Sequence, residues 1–187
     1  MAKDQQIAKS GPGLRRHVVF VGLMGAGKSA IGRRVATRIG ARFRDSDTEI
    51  EKAAGMKIPD IFAVHGERDF RSGERRVITR LLGESPMVLA TGGGAYMDDA
   101  TRAVLHECAT TVWMRAELDV LVRRCAKRGH RPLLKTGDPR TILADLMDVR
   151  YPVYADADVV IDSRDEPHEV AVRDIVDALR ARGDLIV

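Results

Sequence analysis

The chain has 187 residues, of which 44% are hydrophobic and 31% charged, enough for one well-formed core but too few for two large domains. No apolar run approaches the length of a membrane span, and the N-terminus lacks the apolar core of a signal peptide. We therefore expect a cytoplasmic protein with no membrane partner. The net charge is +4, but the arginines are spread along the chain and aromatic residues make up only 4%. This balance favours anionic small molecules over nucleic acid as partners.

Residues 1–13 form an N-terminal segment that mixes lysine, aspartate and glutamine. Its polarity predicts a flexible extension outside the fold. We expect residues 14–187 to form a single domain and the protein to be a monomer. The two cysteines, Cys108 and Cys125, make neither a disulfide framework nor a metal site.

Short apolar runs alternate with helical patterns along the chain. The predicted strands are residues 17–21, 43–46, 87–91, 110–114 and 159–161. The predicted helices are residues 30–39, 48–54, 59–82 with breaks near Gly66 and Gly73, 98–106, 117–127, 141–150 and 167–182. Strands that alternate with helices indicate an α/β fold of three layers, in which a parallel sheet carries helices on both faces.

Residues 22–29 match the phosphate-loop pattern G-x-x-x-x-G-K-[ST] completely. They follow a predicted strand and open a predicted helix, which is the setting that this motif requires. The glycines let backbone N–H groups turn toward phosphate oxygens, and the helix N-terminus adds partial positive charge. Lys28 can reach the outer phosphates of a nucleotide, and the Ser29 hydroxyl can bind Mg²⁺. The loop predicts nucleotide binding but leaves the phosphate acceptor open.

Asp45 and Asp47 lie at the end of the second predicted strand, at the edge of the sheet where the phosphate loop should also lie. If the chain is extended there, both carboxylates point the same way, so one could hold the water shell of a metal and the other an acceptor hydroxyl. Alternatively, Asp47 only caps the helix predicted from Thr48. A triple glycine, residues 92–94, follows the next strand. It indicates either close approach of the backbone to another group or a floppy turn.

Residues 128–139 form a basic, polar loop around Arg131. This composition predicts either a lid that closes over phosphates and excludes water, or an ordinary solvated loop. Trp113, on the fourth predicted strand, is expected to lie in the core and not to stack on a ligand.

Six stretches resemble the shikimate kinase family, in the family's order and roughly its spacing: FVGLMGAGKSAIGRRVA, DSDTEIE, FRSGE, LATGGGA, RPLL and RYPVYADAD. They extend from about Val18 to the closing helix and are highly specific together. The resemblance implies a five-stranded parallel sheet of the nucleoside-monophosphate-kinase type among P-loop NTPases. It also implies transfer of the ATP γ-phosphoryl group to the 3-hydroxyl of shikimate, with Mg²⁺ as cofactor, in the biosynthesis of chorismate and aromatic amino acids.

The resemblance further implies roles on the acceptor side. Asp47 would hydrogen-bond the ring hydroxyls of the substrate. Arg71 and Arg150 would hold its carboxylate, and Gly93 would contact it through the backbone. The expected substrate ligands are Asp47, Arg71, Gly92, Gly93, Gly94 and Arg150.

On the nucleotide side, the resemblance places Arg131 against the transferred phosphate and Arg124 beside the adenine. The expected ATP ligands are Gly25, Ala26, Gly27, Lys28, Ser29, Ala30, Arg124 and Arg131. The expected metal residues are Ser29, directly, and Asp45, through water. The expected catalytic residues are Lys28, Asp47 and Arg131. The family usually has threonine where this chain has Ala30, but Ser29 keeps the hydroxyl for the metal.

Two other functions stay open at this point. A kinase for another polyol acid, such as gluconate, could share the fold, although the paired arginines and the triple glycine favour a rigid ring acid. The second alternative is a regulatory or nucleic-acid-binding module that binds nucleotide without catalysis. Against it, Lys28, Asp47 and Arg131 are all present, whereas a decayed enzyme would usually have lost one of them.

Overall fold

The structure, a computed structural model, describes residues 13–127 and 137–186. Its strands are β1 (His17–Val21), β2 (Phe43–Asp45), β3 (Val88–Ala90), β4 (Ala109–Arg115) and β5 (Val159–Asp162). Its helices are α1 (Lys28–Arg38), α2 (Ser46–Ala54), α3 (Ile58–Leu82), α4 (Asp99–Cys108), α5 (Leu118–Ala126), α6 (Pro139–Tyr154) and α7 (His168–Ala181), with a short 3₁₀ helix at Ala95–Met97. The expected N-terminal extension lies outside the described residues except for Gly13, whose carbonyl accepts a 2.7 Å hydrogen bond from the Ile186 N–H.

The five strands form one parallel sheet in the order β2-β3-β1-β4-β5, so the predicted fold class is confirmed. β1 lies at the centre, where Val18 pairs with Val88 of β3 on one side and with Thr110 of β4 on the other. Every residue of β1 is buried. A central strand that is covered on both faces needs apolar side chains on both, which explains the continuous apolar run in the sequence.

Helices cover both faces of the sheet. α1 packs against α7, and α3 packs against α4. Because crossovers between parallel strands are right-handed, the strand order puts α1 on one face and α3 and α4 on the other. The buried sides of the strands and helices form one hydrophobic core. Within the described ranges, no helix combines the length and apolarity needed to cross a bilayer.

The chain leaves β1 and β3 in opposite directions, since β1 leads through α1 to β2 and β3 leads through α4 to β4. The crevice between the carboxyl ends of these two strands is therefore a topological switch point, where open α/β sheets bind ligands. Thr91 extends the pairing beyond β3, because its N–H and its hydroxyl donate to the Phe20 carbonyl at 3.2 and 3.0 Å. The phosphate loop and the triple glycine both begin at this point.

The boundary between β2 and α2 differs from the prediction. β2 ends at Asp45 and α2 begins at Ser46, so the chain is not extended through Asp47. The cause is a helix cap, in which the Asp45 carboxylate accepts a 3.1 Å hydrogen bond from the Asp47 N–H. The hypothesis that Asp47 only caps a helix from Thr48 is therefore wrong, and Asp47 presents its carboxylate from the first turn of α2.

Helix α6 is longer than predicted at both ends. It begins at Pro139 instead of Thr141, because the Asp138 side chain accepts a 2.9 Å hydrogen bond from the Thr141 N–H and proline is tolerated in a first helical turn. It also continues past Arg150, through an internal proline, to Tyr154. Tyr154 consequently lies one turn beyond Arg150 on the same helix face.

Helix α3 contains only one of its two predicted breaks. Gly66 has φ 77° and ψ 175°, a conformation that is essentially restricted to glycine, and the helix kinks there. The break predicted near Gly73 is wrong, because the helix continues regularly through it. A β-carbon at Gly73 would meet only the end of the Arg76 side chain, at 4.0 Å.

Alanine at these two glycines should have opposite effects on stability. Gly66→Ala should lower the free energy of unfolding by about 1–3 kcal/mol, because alanine is strained in that backbone conformation. Gly73→Ala should leave it unchanged or raise it by up to about 1 kcal/mol, since a helical glycine loses extra backbone entropy on folding. Urea denaturation followed by circular dichroism measures both. Equal stabilities for the two variants would contradict the kink at Gly66.

Candidate active site

The phosphate loop runs from the end of β1 into α1. Gly25 and Gly27 have φ values of 84° and 96°, which other residues rarely adopt, and α1 begins at Lys28, two residues earlier than predicted. The first N–H groups of α1 therefore border the loop and make it a site for an anion. The Lys28 ammonium donates to the carbonyls of Gly22 and Leu23 at 2.7 and 2.9 Å, so it lies against the loop itself.

The two predicted metal residues are in direct contact. The Ser29 hydroxyl, on α1, donates a 2.6 Å hydrogen bond to Asp45 Oδ2 at the end of β2. Oxygen ligands of this kind suit Mg²⁺, which usually keeps waters and substrate phosphates in its coordination shell. The described part of the chain holds no group of three or more histidine, cysteine or acidic side chains that could bind a metal alone. The donor set therefore fits a Mg²⁺ that arrives with a nucleotide.

One buried and one half-buried carboxyl group meet at Gly92. A β-carbon on Gly92 would lie 2.9 Å from Asp47 Oδ1 and 3.0 Å from Glu74 Oε1, so any side chain there would collide with both groups. Burial raises the pKa of Asp47, while Lys28 and Arg71 lower it. Burial also raises the pKa of Glu74. Asp47 thus lies within electrostatic reach of both the phosphate-loop lysine and an acceptor-side arginine.

Two arginine side chains lie against Gly93 and Gly94. A β-carbon on Gly93 would lie 3.3 Å from Arg150 Nη1 and 3.4 Å from the Gly22 carbonyl oxygen of the phosphate loop. A β-carbon on Gly94 would overlap the Arg71 guanidinium, whose Cζ would be 2.6 Å away. Each glycine therefore faces a different charged group. The interpretation as a floppy turn is wrong, and close approach of side chains is the reason for glycine here.

Acidic neighbours on its own helix hold Arg71 in place. Its Nη1 lies 2.7 Å from Glu74 Oε2, and its Nη2 lies 3.4 Å from Glu67 Oε1. Glu74 Oε1 has no hydrogen-bond partner among the residues that the structure describes, and it lies beside Gly92. Sequence reasoning missed Glu74, although a position three residues after Arg71 on a helix is the spacing of an ion pair.

Arg124 of α5 connects the phosphate loop with the loop that follows β5. Its guanidinium donates to the Ser163 hydroxyl at 2.7 Å and to the Arg164 carbonyl at 2.6 Å. Ser163, which sequence reasoning also missed, donates in turn to the Ala26 carbonyl of the phosphate loop at 2.8 Å. A cavity of about 390 Å³ is lined in part by Arg124, Ser163 and Pro167. This cavity adjoins the phosphate loop on the side where the adenine was expected.

The predicted nucleotide-binding and acceptor-binding residues lie next to each other in the structure. The predicted residues that gather at the carboxyl edge of the sheet are Lys28, Ser29, Asp45, Asp47, Arg71, Gly92, Gly93, Gly94 and Arg150. Arg131 and residues 128–136 of the expected lid lie outside the described residues. Trp113 is buried, with its ring 4.9 Å from that of Tyr151, which confirms its placement in the core.

Comparisons with known proteins agree with this geometry. The family model for shikimate kinase matches residues 24–180. A shikimate kinase of Paramagnetospirillum magneticum is 54% identical over 170 residues, which cover 91% of this chain and 87% of that protein. A solved structure of shikimate kinase from Acinetobacter baumannii, in complex with shikimate, has a TM-score of 0.85 and 33% identity, covering 89% of this chain and 94% of that chain.

The fold is shared more widely than the sequence. A gluconokinase from Sinorhizobium meliloti has a TM-score of 0.63 at 20% identity, over 94% of this chain and 95% of that chain. That likeness shows the common fold alone and does not separate one acceptor from another. The family model and the high sequence identity show the family: the chain belongs to the shikimate kinase family.

Proposed function

We propose that this protein transfers the γ-phosphoryl group of ATP to the 3-hydroxyl of shikimate, giving shikimate 3-phosphate and ADP, a step in the biosynthesis of chorismate and aromatic amino acids. The observation that carries the proposal is the convergence of Asp47, Arg71 and Arg150 on the triple glycine, beside a complete phosphate loop. Membership of the family supports the same activity.

The acceptor side matches the chemistry of shikimate, a ring acid with one carboxylate and several hydroxyls. Arg71 and Arg150 offer planar guanidinium groups, which bind a carboxylate through parallel hydrogen bonds. The ion pair with Glu74 orients Arg71 before substrate arrives. Asp47 accepts hydrogen bonds from the ring hydroxyls, and the backbone of Gly93 contacts the substrate.

The donor side holds ATP through its phosphates. The backbone N–H groups of residues 25–30 surround the phosphates, and Lys28 exchanges its carbonyl partners for the outer phosphate oxygens. Ser29 would hold Mg²⁺ directly and Asp45 would hold it through water. Mg²⁺ supplies charge neutralisation on the phosphates when it is bound. Arg124 lies beside the adenine, in the cavity after β5.

Phosphoryl transfer has a loose transition state, so positioning and charge neutralisation contribute more than base catalysis. A bond forms between the acceptor oxygen and the γ-phosphorus while the bond to the β-phosphate oxygen breaks. Asp47 orients the acceptor hydroxyl and takes up its proton late in the reaction, and burial raises its pKa, which strengthens it as a proton acceptor. Arg131 would meet the transferred phosphate, as the resemblance implies.

The identity of the acceptor tests the proposal. With Mg-ATP, ADP release in a coupled assay should require shikimate and stay near background with gluconate, because two arginines around a glycine run suit a ring acid. Phosphorus NMR of the product should show a phosphate ester on the 3-hydroxyl. An Asp47→Asn protein purified in the same way should lose turnover, which controls for a contaminating kinase. Equal turnover with gluconate would sink the proposal.

Arg71 should bind the substrate carboxylate equally in the ground and transition states. Arg71→Ala should therefore raise the KM for shikimate roughly 10- to 100-fold, as expected for hydrogen bonds between charged groups, and leave the KM for ATP nearly unchanged. Arg75→Ala is the matched control, since Arg75 lies one turn further along α3 and pairs with Asp98 at 2.7 Å. It should keep both values. Finding ATP affinity to be the main loss in Arg71→Ala would refute the role.

A further inference from the structure

Tyr154 ends helix α6 and is completely buried. Its hydroxyl donates a hydrogen bond to the Gly93 carbonyl, in the middle of the triple glycine. The same helix carries Arg150 one turn earlier, and a β-carbon on Gly93 would lie only 3.3 Å from Arg150 Nη1. The C-terminal end of α6 therefore lies against Gly93 through two side chains.

An aromatic cluster fixes the ring of Tyr154. Its centroid lies 6.2, 6.3 and 6.0 Å from the rings of Tyr96, Tyr151 and Trp113. Tyr96 belongs to the 3₁₀ helix that directly follows Gly94, so the ring also packs beside the segment that leaves the glycine run. A side chain held on several sides in this way keeps its hydroxyl at one position.

A fixed hydroxyl matters here because three consecutive glycines have unusually large backbone freedom. A peptide unit is planar, so holding the Gly93 carbonyl also sets the direction of the Gly94 N–H. Ordering the backbone of a residue costs conformational entropy. Without the hydrogen bond, part of that cost would be added to substrate binding.

We propose that Tyr154 is a positioning residue, whose hydroxyl holds the Gly93 backbone, against which Arg150 packs, in the conformation that receives the acceptor. This inference rests on the proposed function, because the acceptor is taken to be shikimate. Burial raises the pKa of Tyr154 to about 12, although the charge of Arg150 acts in the opposite direction. The phenol therefore stays protonated and remains a hydrogen-bond donor at physiological pH.

Removal of the hydroxyl alone tests the role. Tyr154→Phe keeps the ring and should raise the KM for shikimate about tenfold, because the Gly93 carbonyl loses the partner that positions it, while kcat and the KM for ATP change little. Tyr151→Phe is the matched control. Tyr151 lies on the same helix and in the same aromatic cluster, but its hydroxyl donates to the Ala116 carbonyl and not to the glycines.

Tyr154→Phe removes the partly buried hydrogen bond to the Gly93 carbonyl, and Tyr151→Phe removes two partly buried hydrogen bonds with the backbone of Ala116. Both variants should therefore lose stability in urea, and only Tyr154→Phe should change the KM for shikimate. Calorimetric titration with shikimate should show the same difference without turnover, at a temperature where circular dichroism shows both variants to be folded. A wild-type KM and affinity for shikimate in Tyr154→Phe would overturn the inference and leave the proposed function standing. A wild-type protein that neither binds nor phosphorylates shikimate would overturn both.

Discussion

The absence of side chains at residues 92–94 is the constraint on which the rest of the site depends. The first glycine leaves room for the carboxyl groups of Asp47 and Glu74, the second for Arg150 and the third for Arg71. Because the run follows β3, which pairs with β1, these groups gather beside the phosphate loop. A side chain in the run would displace at least one of the charges or separate the acceptor site from the donor site.

This close approach has an electrostatic consequence. Buried carboxylates are costly unless cations compensate them, and burial raises the pKa of both Asp47 and Glu74. Lys28 and Arg71 lower the pKa of Asp47, and Arg71 lowers that of Glu74. The cations thus already belong to a network with the buried acids. An anionic substrate can join that network at Arg71, and phosphates can join it at Lys28.

The order of strands, loops and motifs along the chain could be predicted from the sequence, because glycine spacing and apolar runs are local signals. Contacts between segments that are distant in the sequence could not be predicted in this way. The cap made by Asp45 shifts the start of α2, and a helix that continues to Tyr154 reaches a glycine that is remote in sequence. Glu74 acts through Arg71 and Gly92, which only the folded chain brings together. The role of Arg131 stays a prediction.

Calorimetric titration of shikimate into a Gly94→Ala variant tests most directly whether the glycine run is kept bare for the charged side chains. Gly94 has φ −90° and ψ −16°, which alanine adopts without strain, so the added methyl group acts mainly by displacing the Arg71 guanidinium. We predict that shikimate binds about tenfold more weakly or worse, while ADP affinity changes little. Wild-type affinity for shikimate in the folded variant would contradict the central role of the glycines.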